Sequence, residues 1–103
     1  MRSTEHDVAD AVLQVLATCP NGEAAIATIV KAVPKYLKLT AEDRTPSKTR
    51  KHEELWEQQV RNITSHKASP GNFIHEGFLA PIKSGLKITD AGTARLKHKG
   101  LHP

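Results

Sequence analysis

Apolar residues along the chain fall into stretches of helical spacing separated by short turn-rich breaks. Val8, Ala11, Val12, Val15 and Leu16 recur at i, i+3, i+4, i+7 and i+8, the one-sided stripe of an amphipathic helix. Ser3-Thr4-Glu5-His6-Asp7 stands in front of them with a hydroxyl followed three residues later by a carboxylate, the pattern that satisfies the free N–H groups of a helix start. A first helix is therefore expected over about residues 4–18. Pro20-Asn21-Gly22 ends it with turn chemistry, and Glu23 to Ile26 is short enough to be an extended strand or a linker. Thr28 is the expected cap of a second helix burying Ile29, Val30, Val33 and Leu37. Pro34 lacks an N–H and clashes with the carbonyl four residues back, so this helix should kink or end near Val33.

Thr40-Ala41-Glu42-Asp43 repeats the capping pattern, but Arg44-Thr45-Pro46-Ser47 follows so closely that only about one turn of helix fits. A basic loop, Ser47 to Lys51, leads into a third helix over about residues 52–66, where Trp56, Val60 and Ile63 form an i, i+4, i+7 stripe. Its opposite face collects Glu54, Gln58, Arg61, Asn62 and Ser65, while Gln59 lies nearer the apolar stripe. Ala68 to Asn72 breaks that helix, and Asn72 to Glu76 adds a turn before Gly77. Phe78-Leu79-Ala80 and Leu86-Lys87-Ile88 then read as two short strands around a tip at Pro81 to Gly85. Thr89 or Asp90 caps a last helix through about Lys97, with Ala91, Ala94 and Leu96 as inward residues. The expected fold is mainly α with a small β-hairpin, in the order of a winged helix-turn-helix. Its core should join Val12, Leu16, Ile29, Val33, Trp56, Val60, Ile63, Leu79 and Ile88.

Composition narrows the class. At 103 residues, 38% of them apolar, the chain suits one small domain, with ends at about residues 1–3 and 98–103 expected to be flexible. Only Tyr36, Trp56, Phe73 and Phe78 are aromatic, so the core must be mostly aliphatic with Trp56 its largest member. No apolar run approaches the roughly 20 residues a bilayer requires. MRSTEHDVAD lacks the basic flank and apolar stretch of a signal peptide, so a cytoplasmic protein without membrane contact is expected. The single Cys19 has no partner for an internal disulfide or a cysteine zinc site and is expected to be inert.

Charge adds the first functional clue because it is unevenly spread. Residues 1–43 hold four Lys/Arg against six Asp/Glu, residues 44–67 six against three, and residues 81–103 five against one. With an isoelectric point near 9.4, the basic middle and tail have the character of a nucleic-acid binder.

The series Leu39-Thr-Ala-Glu-Asp-Arg44, Trp56-Glu-Gln-Gln-Val-Arg-Asn62, Glu76-Gly-Phe-Leu79 and Leu86-Lys-Ile-Thr-Asp-Ala-Gly92 resembles the N-terminal winged-helix domain of Mrr-type, modification-dependent restriction systems. The resemblance covers roughly residues 8–97. It differs by an insertion, Ser65 to Asn72, after the third helix, and by the absence of a nuclease domain from these residues. The resemblance implies double-stranded DNA as partner, with sequence or adenine methylation as what is read.

The residues themselves point the same way. Gln58 and Asn62 carry amides that can pair with the N6/N7 edge of adenine, and Arg61 a fork that can pair with O6/N7 of guanine. The same side chains also make an ordinary polar helix surface. Ser65 continues that face, and Lys48, Thr49, Arg50 and Lys51 ahead of the helix could neutralise phosphates. Against this, Glu53 and Glu54 lie where a backbone would approach, although they also complement the helix dipole. Lys83 and Lys87 on the hairpin have both readings, phosphate contact and solvated surface. His98 and His102 are spaced i, i+4 without a carboxylate or thiol at ligand spacing, so no metal is expected; His52, His66 and His75 would tune affinity through their charge. There is no G-x-S-x-G, no glycine-rich phosphate loop and no acidic cluster with lysine that would hold magnesium, so a non-enzyme without cofactor is expected. A homodimer or a nuclease partner fits beside DNA. The competing class is a protein-interaction or dimerisation module acting as an accessory subunit through its first or last helix.

Overall fold

Helix α1 (Glu5–Ala17) begins where its capping residues dictate: the Asp7 N–H donates to Thr4 Oγ1 at 3.1 Å and the Thr4 N–H to Asp7 Oδ2 at 2.9 Å. A computed structural model describes residues 4–46 and 53–101 of the chain. After α1 come a 3₁₀ turn at Pro20–Gly22, strand β1 (Glu23–Ala25), helix α2 (Ile26–Ala32) and a 3₁₀ turn at Val33–Lys35. Helix α3 (Leu55–Ser65), strands β2 (Leu79–Ile82) and β3 (Gly85–Ile88) and helix α4 (Asp90–Lys99) complete the order. The described residues thus form four α-helices and a three-stranded antiparallel sheet, with β3 in the centre between β1 and β2.

Helix α1 is the hub, because every residue from Val8 to Leu16 is buried and α2, α3, α4 and β3 all pack against it. A helix apolar on most of its circumference has nowhere to go but the centre. Around it close Ile29, Val33, Trp56, Val60, Ile63, Phe73, Leu79, Leu86 and Leu96, all within 5% of full burial. Of the expected core only Ile88 is half-buried, packed at the edge of the cluster.

The sheet joins the two halves of the chain. Glu23, Ala24 and Ala25 pair with Lys87, Leu86 and Gly85, so the segment 23–25 is a strand rather than a linker. The hairpin is tighter than expected: β2 and β3 enclose only Lys83 and Ser84, and Ser84 takes φ +58° to close the turn. Gly85 follows because a Cβ there would collide with the Ala24 carbonyl of β1, a close approach that only glycine permits.

Three expectations are corrected by tertiary contacts. Helix α2 starts at Ile26, not after Thr28, since the Ile26 N–H donates 2.9 Å to the Ser84 carbonyl at the hairpin tip and needs no side-chain cap. Helix α4 buries Gly92 and Leu96 and leaves Ala91 and Ala94 exposed. The cause is Gly92, where a Cβ would meet the Phe78 carbonyl, Ile88 Cγ1 and Leu13 Cδ2, so the helix comes so close there that it is rotated away from its alanines. Finally, α4 runs to Lys99, past the expected end at Lys97. It closes on Gly100 at φ +69°, and the Leu101 N–H donates 3.0 Å to the Leu96 carbonyl. The end of α4 is therefore capped by Gly100 and Leu101.

Candidate nucleic-acid interface

Helix α3 begins at Leu55, later than the expected start near residue 52, because its first N–H groups find partners across the preceding turn. The Leu55 N–H donates 2.7 Å to the Thr45 carbonyl and the Trp56 N–H 3.1 Å to the Asp43 carbonyl. That turn is itself held by a reciprocal pair, Thr40 N–H to Asp43 Oδ2 at 2.9 Å and Asp43 N–H to Thr40 Oγ1 at 3.2 Å, with Asp43 fully buried. Trp56 is anchored at both ends, its indole N–H donating 2.9 Å to Glu54 Oε1. Glu54 also faces Arg44 at 3.4 Å, and the Glu54 N–H donates to Glu57 Oε1 at 3.3 Å. The acidic residues at this helix start are thus engaged in closing it.

Gln58, Arg61 and Asn62 are each half-buried, and the exposed residues of α3 are Thr64 and Ser65. Arg61 is covered by Glu53, which reaches back over the helix so that Arg61 Nε donates 2.6 Å to Glu53 Oε2. Asn62 lies about 100° around the helix from Arg61 and does not line the cleft that Arg61 lines. Gln59 is buried at 4% exposure, in keeping with its place beside the apolar stripe. Ser65 is exposed, its hydroxyl donating 3.4 Å to the Arg61 carbonyl within the helix. Lys48, Arg50 and Lys51 lie outside the described residues.

The cleft beside Arg61 is the feature that links α3 to the sheet. It encloses about 210 Å³ between Arg61 and Thr64 of α3, Ile26 at the start of α2, and Ile82, Ser84 and Gly85 of the hairpin. Lys83 is exposed at the tip next to Ser84. Lys87 is exposed too, on the central strand with Glu23 and Ala80 as its register partners. Thr64, Ile82, Ser84 and Glu53 were not among the expected site residues. Thr64 was legible as the residue one turn after Arg61, and Ser84 as the neighbour of Lys83; the reach of Glu53 across eight residues was not.

A second surface concentrates on α4. Phe78, Ala91, Ala94, Arg95, His98 and Lys99 border a mostly apolar groove of about 340 Å³. Its floor is fixed by an ion cluster. Arg95 Nε and Nη2 donate to the two oxygens of Asp10 at 2.8 and 3.2 Å, and Lys99 Nζ donates to Asp10 Oδ2 at 3.1 Å. The Arg95 guanidinium also lies 4.7 and 5.2 Å from the ring centroids of Phe73 and Phe78, close enough for cation–π attraction. Burial by itself raises the Asp10 pKa, but the hydrogen bonds and charges of Arg95 and Lys99 outweigh it and hold the carboxyl below its ordinary value.

Three histidines of the described residues have polar partners. His6 Nε2 shares a hydrogen bond of 2.9 Å with the Gly71 carbonyl, His66 faces Glu5 at 3.9 Å, and His75 lies 2.9 Å from Glu76. Among the described residues no three His, Cys, Asp or Glu side chains converge as metal ligands would. No helix of the described residues is long and apolar enough to cross a membrane. Comparisons of the chain with models of protein families, with curated proteins and with solved structures gave no match in any of the three.

Proposed function

We propose that this chain is a non-enzymatic winged helix-turn-helix that binds double-stranded DNA, with α3 in the major groove and the β2–β3 tip against the neighbouring backbone. The element order, with β1 after the first helix and the hairpin after the third, and the strand order β1-β3-β2 support the winged-helix reading. One observation carries the function: the cleft that makes Arg61 and Thr64 of α3 continuous with Ser84 of the hairpin, so that a helix and a tip bearing Lys83 present one surface. A major groove about 12 Å wide admits such a helix, and its phosphates lie within reach of an adjacent loop. Phosphate attraction would come from Lys83 and from Lys48, Arg50 and Lys51, and base contact from Gln58, Arg61 and Asn62. The resemblance to restriction-linked winged helices adds adenine methylation as a feature for the amides to sense, because the N6 edge they bond is where such a methyl sits.

Selection of duplexes from a random pool, with and without base methylation, followed by affinities over a salt series, tests this. Asn62→Ala and Gln58→Ala should relax sequence preference, each by about 1–3 kcal/mol at the base it reads. Lys51→Ala and Lys83→Ala should weaken all duplexes alike and lower the salt slope by about one unit each. Failure of the wild type to bind any duplex at low salt would end the proposal.

The α4 groove favours a second reading, a surface for another protein chain. Its exposed alanines leave room for a close partner helix, and Phe78 supplies an apolar floor. Ala94→Glu would place a carboxylate in the groove without touching the core. If a stable complex with another chain forms, this variant should abolish it while leaving the melting temperature within a few degrees of wild type. Such a complex together with no duplex binding would make the accessory-subunit function the correct one.

A further inference from the structure

We propose that Glu53 is a positioning residue that holds Arg61 as a reader of base edges and removes it from the pool of phosphate-binding cations. The inference rests on the DNA-binding reading above and adds to it a division of labour that no single residue type reveals.

Geometry comes first. The Arg61–Glu53 contact is short, 2.6 Å, and runs through Nε; the Glu53 side chain is 14% exposed and that of Arg61 38%. The neighbouring Arg44–Glu54 pair is different, 3.4 Å long with both partners more open, at 55% and 37%. The first pair is a clamp and the second an ordinary surface contact. Glu53 precedes α3, whose start is tied to the Thr40–Thr45 turn by backbone hydrogen bonds, so the clamp has a fixed base.

A guanidinium carries five N–H donors in a planar fork. With the Nε–H taken by the carboxylate, the donors on the Nη atoms remain for a ligand, and the edge they share matches two acceptors side by side. Guanine offers O6 and N7 in that arrangement. A phosphate also offers two oxygens, but it carries a full negative charge, which the Glu53 carboxylate opposes at short range; the partial charges of a base edge are opposed far less. A clamped arginine also loses less freedom on binding than a mobile one. The Glu53 charge cancels that of Arg61 towards the counterion atmosphere, so Arg61 should contribute little to salt dependence.

The test compares wild type, Glu53→Gln, Glu54→Gln, Arg61→Ala and Arg61→Lys, each checked for fold by circular dichroism and thermal melting. Each is titrated with the selected duplex and with an unrelated duplex over a salt series. Glu53→Gln is expected to lower the preference for the selected duplex about 5- to 150-fold and to steepen the salt slope by about one unit as Arg61 is released to phosphate. Arg61→Ala should lose the same preference with the slope unchanged. Arg61→Lys, which keeps the charge and loses the fork, should behave like Arg61→Ala in preference and stands in if Glu53→Gln does not fold. Glu54→Gln removes an equal charge from the same helix start and should leave the preference intact. Full preference in Glu53→Gln, or a uniform loss on all duplexes with a slope lowered by about one in Arg61→Ala, would overturn the positioning role while leaving DNA binding in place. Absence of duplex binding by the wild type would overturn both.

Discussion

Trp56→Ala is expected to unfold the chain under conditions in which the wild type is folded. Trp56 is 5% exposed on α3, a helix that packs on α1, and it is the largest side chain in the core. Removing it leaves a cavity among aliphatic neighbours anchored on a central helix, at a cost of about 3–5 kcal/mol. It also removes the indole donor from Glu54 Oε1, leaving that oxygen facing Arg44 at 3.4 Å. A domain of this size has a total stability on the order of 5–15 kcal/mol, so the loss removes a large share of it. Trp56→Phe, which keeps most of the volume and loses the hydrogen bond, should cost distinctly less. Urea unfolding of the two variants measures the difference; a midpoint for Trp56→Ala close to wild type would contradict the packing described for α3.

Asp10→Asn carries the second large effect, and its pH dependence has a definite sign. Asp10 is 8% exposed and accepts from Arg95 and Lys99. Neutralising it leaves two cations facing each other beside Phe73 and Phe78, which should cost about 2–4 kcal/mol at neutral pH, since a partly buried ion cluster that loses its only anion keeps the desolvation penalty. In the folded state the carboxyl titrates below its ordinary value of 3.8. A depressed carboxylate stabilises fully above the unfolded value and stops doing so as pH falls through the folded one. The stability gap between wild type and Asp10→Asn should therefore be constant from pH 7 to about pH 5 and shrink below about pH 4. Denaturant midpoints over that range decide it, and a gap that narrowed towards neutral pH would show that Asp10 does not act through these cations.

The two variants sort the fold by how far it could be read from residue order. Trp56 was identifiable as core from its i, i+4, i+7 relation to Val60 and Ile63 alone. Nothing near Asp10 in the chain marks it as an ion-pair centre, because its partners are 85 and 89 residues away. The site divides in the same way. That α3 would carry Gln58, Arg61 and Asn62 opposite its apolar stripe followed from the helical period, yet Arg61 and Asn62 turned out to serve different surroundings.

What the order of residues determined by itself is therefore what a few neighbouring positions can encode: the Thr4–Asp7 box that starts α1, the halt at Pro34, the turn at Thr40–Asp43, the hairpin before Thr89 and the apolar stripes that became the core. What only the tertiary structure decided is every feature whose partner comes from elsewhere in the chain. The starts of α2 and α3 depend on carbonyls of Ser84, Thr45 and Asp43, the exposed face of α4 on the close approach at Gly92, and the state of Arg61 on Glu53. The physical reason is that backbone donors and charges must be satisfied by whatever packing brings near. A periodic pattern of side chains specifies which face turns inward, whereas the partner that meets it is set by how all the faces close together.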